Sequence, residues 1–328
     1  MLATFTQLGT ALTKNAEVAF SKGTKLAPKA GRMIFNVQMT KDKITESDTY
    51  SFDQVSRNTG EGGVYASSDP VKGYNLILTQ AKFTQSFEHT KEIGMYDKYS
   101  VVNVLKGIQG LGTSGANRFE LDLQLLVGQG TGSSYEDLDG NTISTQSADS
   151  INLFVTATHT VRSGGTFGNL DATAFGQTGL EADELLQRNF INHDGEQTDR
   201  ISTDIYTTRT PSLVNLVDEY RNARGHVEDE AHGLNVYNTN FSRAQGTRYG
   251  HIIMEYLDAT NLRAVDTDKA DYWGTVNRGA ESLQAKVSQN PIVYAPQLVQ
   301  RTRNVLIQTD LHYDYGVRDA FDITQHNS

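Results

Sequence analysis

The chain has 328 residues, 37% of them hydrophobic, no cysteine and a formal net charge of −10. That length supports one large core or two modest ones. The missing cysteines exclude a disulfide framework, a thiolate zinc site and a Cys nucleophile, and the acidic balance argues against tight general nucleic-acid binding, which needs Lys and Arg at the phosphates.

Met1–Thr6 lacks the basic start and apolar core of a secretion signal, and no apolar run approaches the ~20 residues of a membrane span. Residues 1–30 are small and polar, with Lys14, Lys22, Lys25 and Lys29 spread through them. Leu8, Leu12 and Phe20 are too sparse for a core helix, so this segment reads as an arm ordered by docking on something else. Met33, Phe35, Val37 and Met39 alternate, which predicts a strand. Thr49–Phe52 is a second short candidate. Residues 54–73 carry turn chemistry, Arg57-Asn-Thr-Gly-Glu-Gly-Gly63 and Ser67-Ser-Asp-Pro70. They read as the tip of a long hairpin that returns along Tyr74–Phe87, with Ile77, Ala81, Phe83 and Phe87 on one face. Such a hairpin is marginal alone in water and needs a partner surface.

Past Gly94 the period changes, and Val101, Val104, Leu105 and Ile108 recur at helical spacing. Residues 116–127 pose a conflict. Phe119, Leu121, Leu123, Leu125 and Val127 alternate as in a strand, while Phe119, Leu123, Leu126 and Val127 also fit a helix. Further on, 151–159 is a strand candidate, 163–168 a loop, 180–191 a helix and 197–208 a strand. The clearest helix is 211–224, with Thr210 placed to cap it, Pro211 at its first position and Leu213, Leu216, Val217 and Tyr220 as its stripe. Short strands are expected at 234–237, 250–257 and 264–265, a long one at 302–309, and then a tail through Val317.

No constellation reads as an active site. His226 and His232 flank an acidic loop, but their six-residue separation puts them on different faces of a helix. Asp137-Leu-Asp-Gly-Asn141 has its Gly too early for a calcium loop and no closing Glu, so a tight turn is expected. Gly128-Gln-Gly-Thr-Gly132 lacks the Lys-Ser/Thr of a phosphate loop. His193 and Asp194 are adjacent and poorly placed for a relay. Trp273, with Tyr272 and Tyr256, reads as buried aromatic packing. The expectation is a chain that is not an enzyme and has no cofactor or metal.

The order of parts resembles the major capsid proteins of tailed bacteriophages, the Hong Kong 97-type fold. Asp149-Ser-Ile-Asn-Leu-Phe-Val-Thr-Ala-Thr-His159 followed by Ser163-Gly-Gly-Thr-Phe-Gly-Asn169 is similar to a segment of siphophage and Mu-like major head proteins. Tyr272-Trp273 followed by Tyr313-Asp-Tyr-Gly-Val317 is similar to that group's closing segment. The resemblance covers most of the chain. It implies an α+β fold with an N-terminal arm and first strand over 1–44, a projecting E-loop over 45–93 and a spine helix over 94–127. A peripheral domain over 128–204, an axial domain over 205–305 and a return to the peripheral domain over 306–328 would follow. It thereby implies that 116–127 continues the spine, against its alternation.

The resemblance implies a shell subunit that assembles with itself into pentamers and hexamers of an icosahedral phage head around double-stranded DNA. An acidic chain can enclose DNA without gripping it. The implied partners are copies of the chain, a portal protein and separate scaffolding and cement proteins, with no membrane. The implied place is the virion, assembled in the host bacterial cytoplasm. Arg57, Asn58, Glu61, Phe83 and Phe87 would then lie at subunit contacts. Some members join neighbours through a Lys on the E-loop, but Arg57–Gly63 has none. Noncovalent locking or a cement protein is therefore expected, and the glycines at 60–63 and 107–115 are candidate hinges. An encapsulin-like shell around a protein cargo is the alternative, as is another virion part such as a tail-tube subunit.

Overall fold

The computed structural model describes residues 5–51, 70–89, 100–197, 202–222, 250–257, 271–279, 281–295, 297–299 and 304–327. In chain order these form α1 (Phe5–Thr24), α2 (Ala30–Ile34), β1 (Asn36–Met39), β2 (Ile44–Ser51), β3 (Val71–Thr79), β4 (Ala81–His89) and α3 (Ser100–Gly128). Next come β5 (Ser134–Glu136), β6 (Thr142–Ser144), β7 (His159–Thr160), β8 (Thr166–Phe167), β9 (Leu170–Asp171), α4 (Gln177–Arg188), β10 (Asp204–Thr208) and α5 (Pro211–Asn222). Last are β11 (Gly250–Met254), β12 (Tyr272–Val276), β13 (Leu283–Val293), β14 (Gln297–Val299), β15 (Asn304–Val317) and β16 (Gln325–Asn327).

Two five-stranded sheets organise the chain. In the first, β15 is the hub. Val305–Tyr313 pairs antiparallel with β4. Thr309–Val317 pairs with β13, and Asn304–Leu306 with β14, along the other edge. The parallel strand β1 adds to β13. The second sheet runs β11-β10-β12-β16-β9. It draws strands from 128–204, from 205–305 and from the C-terminal return, so the last residues close a sheet begun far earlier. The main core gathers the C-terminal half of α3, Phe167, Phe190 and the buried face of β15. A smaller core joins Phe175, Ile205, Leu213, Val217 and Trp273 between α5 and the second sheet.

Residues 116–127 are helical, as the capsid resemblance implied. The alternation has a physical origin. Every residue from Leu121 to Gly128 is buried, so this stretch has no solvent face. The polar members of the alternation are buried because each has a partner. Glu120 accepts from Gly31 N at 2.9 Å, Asp122 from Arg118 Nε at 3.0 Å, and Gln124 Oε1 from Tyr256 N at 3.0 Å.

Three expectations need correction. Residues 5–24 form a helix packed along α3, where Ala16 and Phe20 are buried with Val104, Ile108 and Leu111. A Cβ on Gly23 would overlap the Gln109 carbonyl, and one on Gly112 the Phe20 carbonyl. The two helices thus meet backbone to backbone, and small residues replace the large apolar ones that the sequence pattern seeks. Gly112 is a packing residue inside a continuous helix. Second, the strand expected over 33–39 is a turn of helix, α2, followed by the shorter β1. Third, residues 151–158 form no strand; only His159–Thr160 does. The strand candidates at 234–237 and 264–265 lie outside the described residues.

Candidate assembly interface

The hairpin forms a two-stranded sheet of its own. β2 pairs only with β3 among the described strands. In the expected return strand, Tyr74–Phe87, the chain changes sheet at Gln80. β3 closes the hairpin, while β4 joins β15. Gln80 marks the crossover, with its amide N bonded to Lys43 O at 2.9 Å and its Nε2 to Lys286 O at 2.9 Å.

The root of the hairpin has two unlike faces. Leu76 and Leu78 lie over Gly316 of β15, where a Cβ would crowd both leucines. Thr79 N donates to Asp314 at 2.6 Å. On the other face Ile44 and Ile77 are diagonal neighbours, 57% and 58% exposed, beside Glu46 and Thr79. Tyr74 holds the root from the side. Its hydroxyl lies 3.2 Å from Thr160 Oγ1, the Arg162 guanidinium sits 4.3 Å from its ring centre, and its ring meets His193 edge-on. Gly73 passes so close to His193 that a Cβ there would overlap the imidazole. Burial, with Arg162 nearby, pushes the His193 pKa below its usual value against the opposing pull of Asp319 and Asp194.

Of the expected contact residues, Arg57, Asn58 and Glu61 lie outside the described residues. Phe83 and Phe87 do not join the exposed face of the hairpin. Phe83 stacks on Tyr313 at 4.4 Å under the Arg118 guanidinium, and Phe87 lies against Gly107 of α3. Both anchor β4 to the chain's own spine.

The expected tight turn at Asp137–Asn141 is present. Asp137 accepts from Asp139 N at 2.9 Å and from Asn141 N at 2.7 Å, with Gly140 at φ 78°. Arg118 reaches Asp122, Asp137 and Asp139 at once and fills the place a cation would take. Burial holds the Asp122 pKa up at about 6 despite Arg118, and holds the Tyr313 hydroxyl that donates to it far above its usual value. His226 and His232 lie outside the described residues. Trp273 is fully buried, stacked on His326 at 4.0 Å and bonded through Nε1 to Thr173 O.

Two polar clusters escaped the sequence reading. Asp183, fully buried on α4, gathers Gln187, Thr275, Thr324 and His326, tying β16 to the helix. Ser147, Asp149 and His159 resemble a triad by composition, but their wiring differs. Ser147 donates to Asp149 and to Ile151 O, while the far nitrogen of His159 faces Leu153 O. The nucleophile, base and acid order of a hydrolytic triad is absent from this group. Hydrophobic periodicity carries no trace of either cluster: the first gathers side chains from distant segments, and the second is a set of polar contacts within one irregular stretch.

No protein-family model and no curated protein matches the sequence. Solved structures do. The chain is similar to the capsid of a native GTA particle at 10% identity and TM-score 0.50, over 92% of each chain. It is also similar to a virus-like particle from Pyrococcus furiosus at 9% identity and TM-score 0.49, over 95% of this chain and 98% of that one. The mature capsid of bacteriophage PhiM1 matches at 10% identity and TM-score 0.48, over 90% and 86%. Likeness at such identity is likeness of fold, and the chain has the α+β Hong Kong 97-type fold.

Proposed function

We propose that this chain is the shell-forming subunit of a tailed-phage head, placed in pentamers and hexamers of a closed icosahedral shell around double-stranded DNA. The observation that carries the reading is the capsid fold running across 92% of both chains, with no large part of either left over. The hairpin supports it. A two-stranded element with an exposed apolar face is costly in a lone subunit and useful where a second subunit covers it. The tip, with Arg57, Asn58 and Glu61, would lie across a neighbour, while Phe83 and Phe87 fix the root. Each contact is modest, but every subunit makes several at once, and simultaneous engagement multiplies their effect. The net charge of −10 suits a wall that encloses DNA without gripping it. The domain division at 128, 205 and 306 belongs to the same reading, as do a portal protein and separate scaffold and cement proteins.

The test is electron microscopy of the chain expressed alone and with candidate scaffold and portal proteins from its own genome. Closed shells tens of nanometres across are expected, as in other icosahedral assemblies of closed symmetry. Deleting Arg57–Gly63 should leave folded subunits or capsomers and no closed shells. Normal shells from that deletion would sink the role given to the hairpin.

A further inference from the structure

The charge of the chain is unevenly spread. Residues 5–34 and 100–118, which hold α1, α2 and the N-terminal part of α3, carry seven basic residues and one acidic one, a net of +6. With −10 for the whole chain, −16 is left for everything else. A basic layer on an acidic subunit creates a local field that attracts an anion which the rest of the surface repels.

These helices form one layer against the first sheet, where Ala16, Phe20, Val104, Ile108 and Leu111 pack with Ile307 of β15. Along the arm made by α1 and α2, Ala16, Phe20, Gly23, Ala27 and Ala30 are buried at helical spacing. Val18, Lys22, Lys25, Leu26 and Lys29 keep the same spacing two positions on, which puts them on the opposite side, and all five are exposed. The chain keeps turning past Thr24, with Lys25 N donating to Ser21 O at 3.3 Å and Leu26 N to Gly23 O at 3.0 Å, so the stripe continues beyond the helix end. Lys106 of α3 is exposed in the same layer.

The lysines are uncommitted. The two arginines of the layer are held by their own chain, Arg32 by Glu120 and Arg118 by Asp122, Asp137 and Asp139. Among the described residues Lys22, Lys25, Lys29 and Lys106 have no carboxylate partner. The stripe is also unlike a protein-binding face. Protein interfaces are depleted in Lys and built on aromatic residues and Arg. The stripe has three lysines, no aromatic residue and no Arg. A Lys ammonium is a compact charge on a flexible stem, which suits phosphates met at changing positions.

We propose that the exposed lysine face of the arm is the surface of this chain that meets double-stranded DNA, through its phosphates and without reading its sequence. That this DNA is the enclosed genome rests on the shell reading, under which the face points into the head; the phosphate contact does not. The contact is weak in each copy because few phosphates are engaged, and a wall that is acidic elsewhere then holds its nearest DNA layer loosely at one face.

The test uses unassembled subunits and a short fluorescent DNA duplex, followed by anisotropy. For the unaltered chain, log K should fall with log salt at a slope of about −3 to −4, roughly 0.9 for each phosphate engaged. The triple variant Lys22→Gln, Lys25→Gln, Lys29→Gln should bind at least about tenfold more weakly at about 50 mM salt and flatten the slope to about −1. A control triple, Lys41→Gln, Lys43→Gln, Lys82→Gln, removes the same charge from exposed positions outside the layer. It should cost less than about threefold, since charges beyond a Debye length are screened. Equal losses from the two triples would overturn the arm as the site. Subunits that bind no DNA even at about 50 mM salt would overturn DNA as the partner. If the arm triple then also blocked assembly, an acidic face of a second copy would take its place. DNA binding lost in the arm triple, in a chain that forms no shells under any condition, would keep the phosphate face and overturn only the enclosed genome as its ligand.

Discussion

The C-terminal half of α3 and the β2–β3 hairpin both carry large apolar residues, yet they differ sharply in burial. From Leu121 to Gly128 nothing reaches solvent, and the polar residues just before and within that run are held by their own chain. In the hairpin one face rests on β15, while Ile44 and Ile77 stand more than half exposed on the other. Apolar side chains therefore mark two different demands. Inside α3 the subunit meets them itself. On the hairpin the demand is open, and under the shell reading a neighbour meets it. The difference predicts that substitutions in α3 act on folding and substitutions on the hairpin face act on assembly.

The largest effect should come from the core. Leu123 is fully buried beside α2, where Gly31 leaves no room for a Cβ between them. Leu123→Ala should lower subunit stability by about 2–5 kcal/mol, read by chemical denaturation, because the cavity cannot collapse between rigid elements. A loss under about 1 kcal/mol would mean that this half of the helix is far less tightly packed than its burial indicates.

The same half of α3 shows what a sequence can and cannot reveal. The helix over Pro211–Asn222 was legible because it carries one unbroken apolar period behind Thr210 and a first-position Pro. The nature of 116–127 was not, because a helix buried all round has no polar face to set its period. Glu120, Asp122 and Gln124 look like the solvent side of a strand until Gly31, Arg118 and Tyr256 are seen beside them. Helix α1 was missed for the opposite reason. Ala16, Gly23 and Gly112 achieve close packing with almost no hydropathy.

Glu120 gives the second test, through pH. Burial raises its pKa to about 7, against the opposing pull of Arg32 and the backbone N–H groups of Gly31 and Arg32, with Glu255 adding to the rise. Arg32 Nε stands 2.8 Å from Oε1, yet the two are not aligned as a hydrogen bond. A carboxyl with a raised folded pKa binds more protons in the native state than in the unfolded one. Its contribution is therefore most favourable below about pH 4.5 and declines as pH rises through about 7. Asp122, raised to about 6, acts in the same direction over a lower range. His193, with its pKa depressed by burial, acts oppositely and loses stability as pH falls below the ordinary histidine value. Comparing wild type with Glu120→Gln removes those shared terms. The variant should match wild type near pH 4.5 and exceed it by up to about 3 kcal/mol at pH 8. A variant weaker than wild type at pH 8 would show that the Arg32 pair outweighs the cost of burying the charge.

The smallest effect on the subunit should come from the hairpin face. Ile77 sits opposite Glu46 and diagonal to Ile44, 58% exposed, so Ile77→Ala removes little that the lone chain buries. Subunit stability should stay within about 0.5 kcal/mol of wild type. Assembly should respond more strongly. If a neighbour covers Ile77, the lost methyl and methylene groups weaken each contact by about 1–2 kcal/mol, and the contact recurs in every copy. The protein concentration at which shells form, read by light scattering, should then rise about tenfold or more, since each 1.4 kcal/mol is a factor of ten. A subunit that loses more than 1 kcal/mol would show that Ile77 packs on its own chain and that the two regions differ less than their exposure implies. An unchanged subunit with unchanged assembly would put the shell contact on another face of the hairpin, because an apolar pair that gains nothing from a neighbour is not where the neighbour sits.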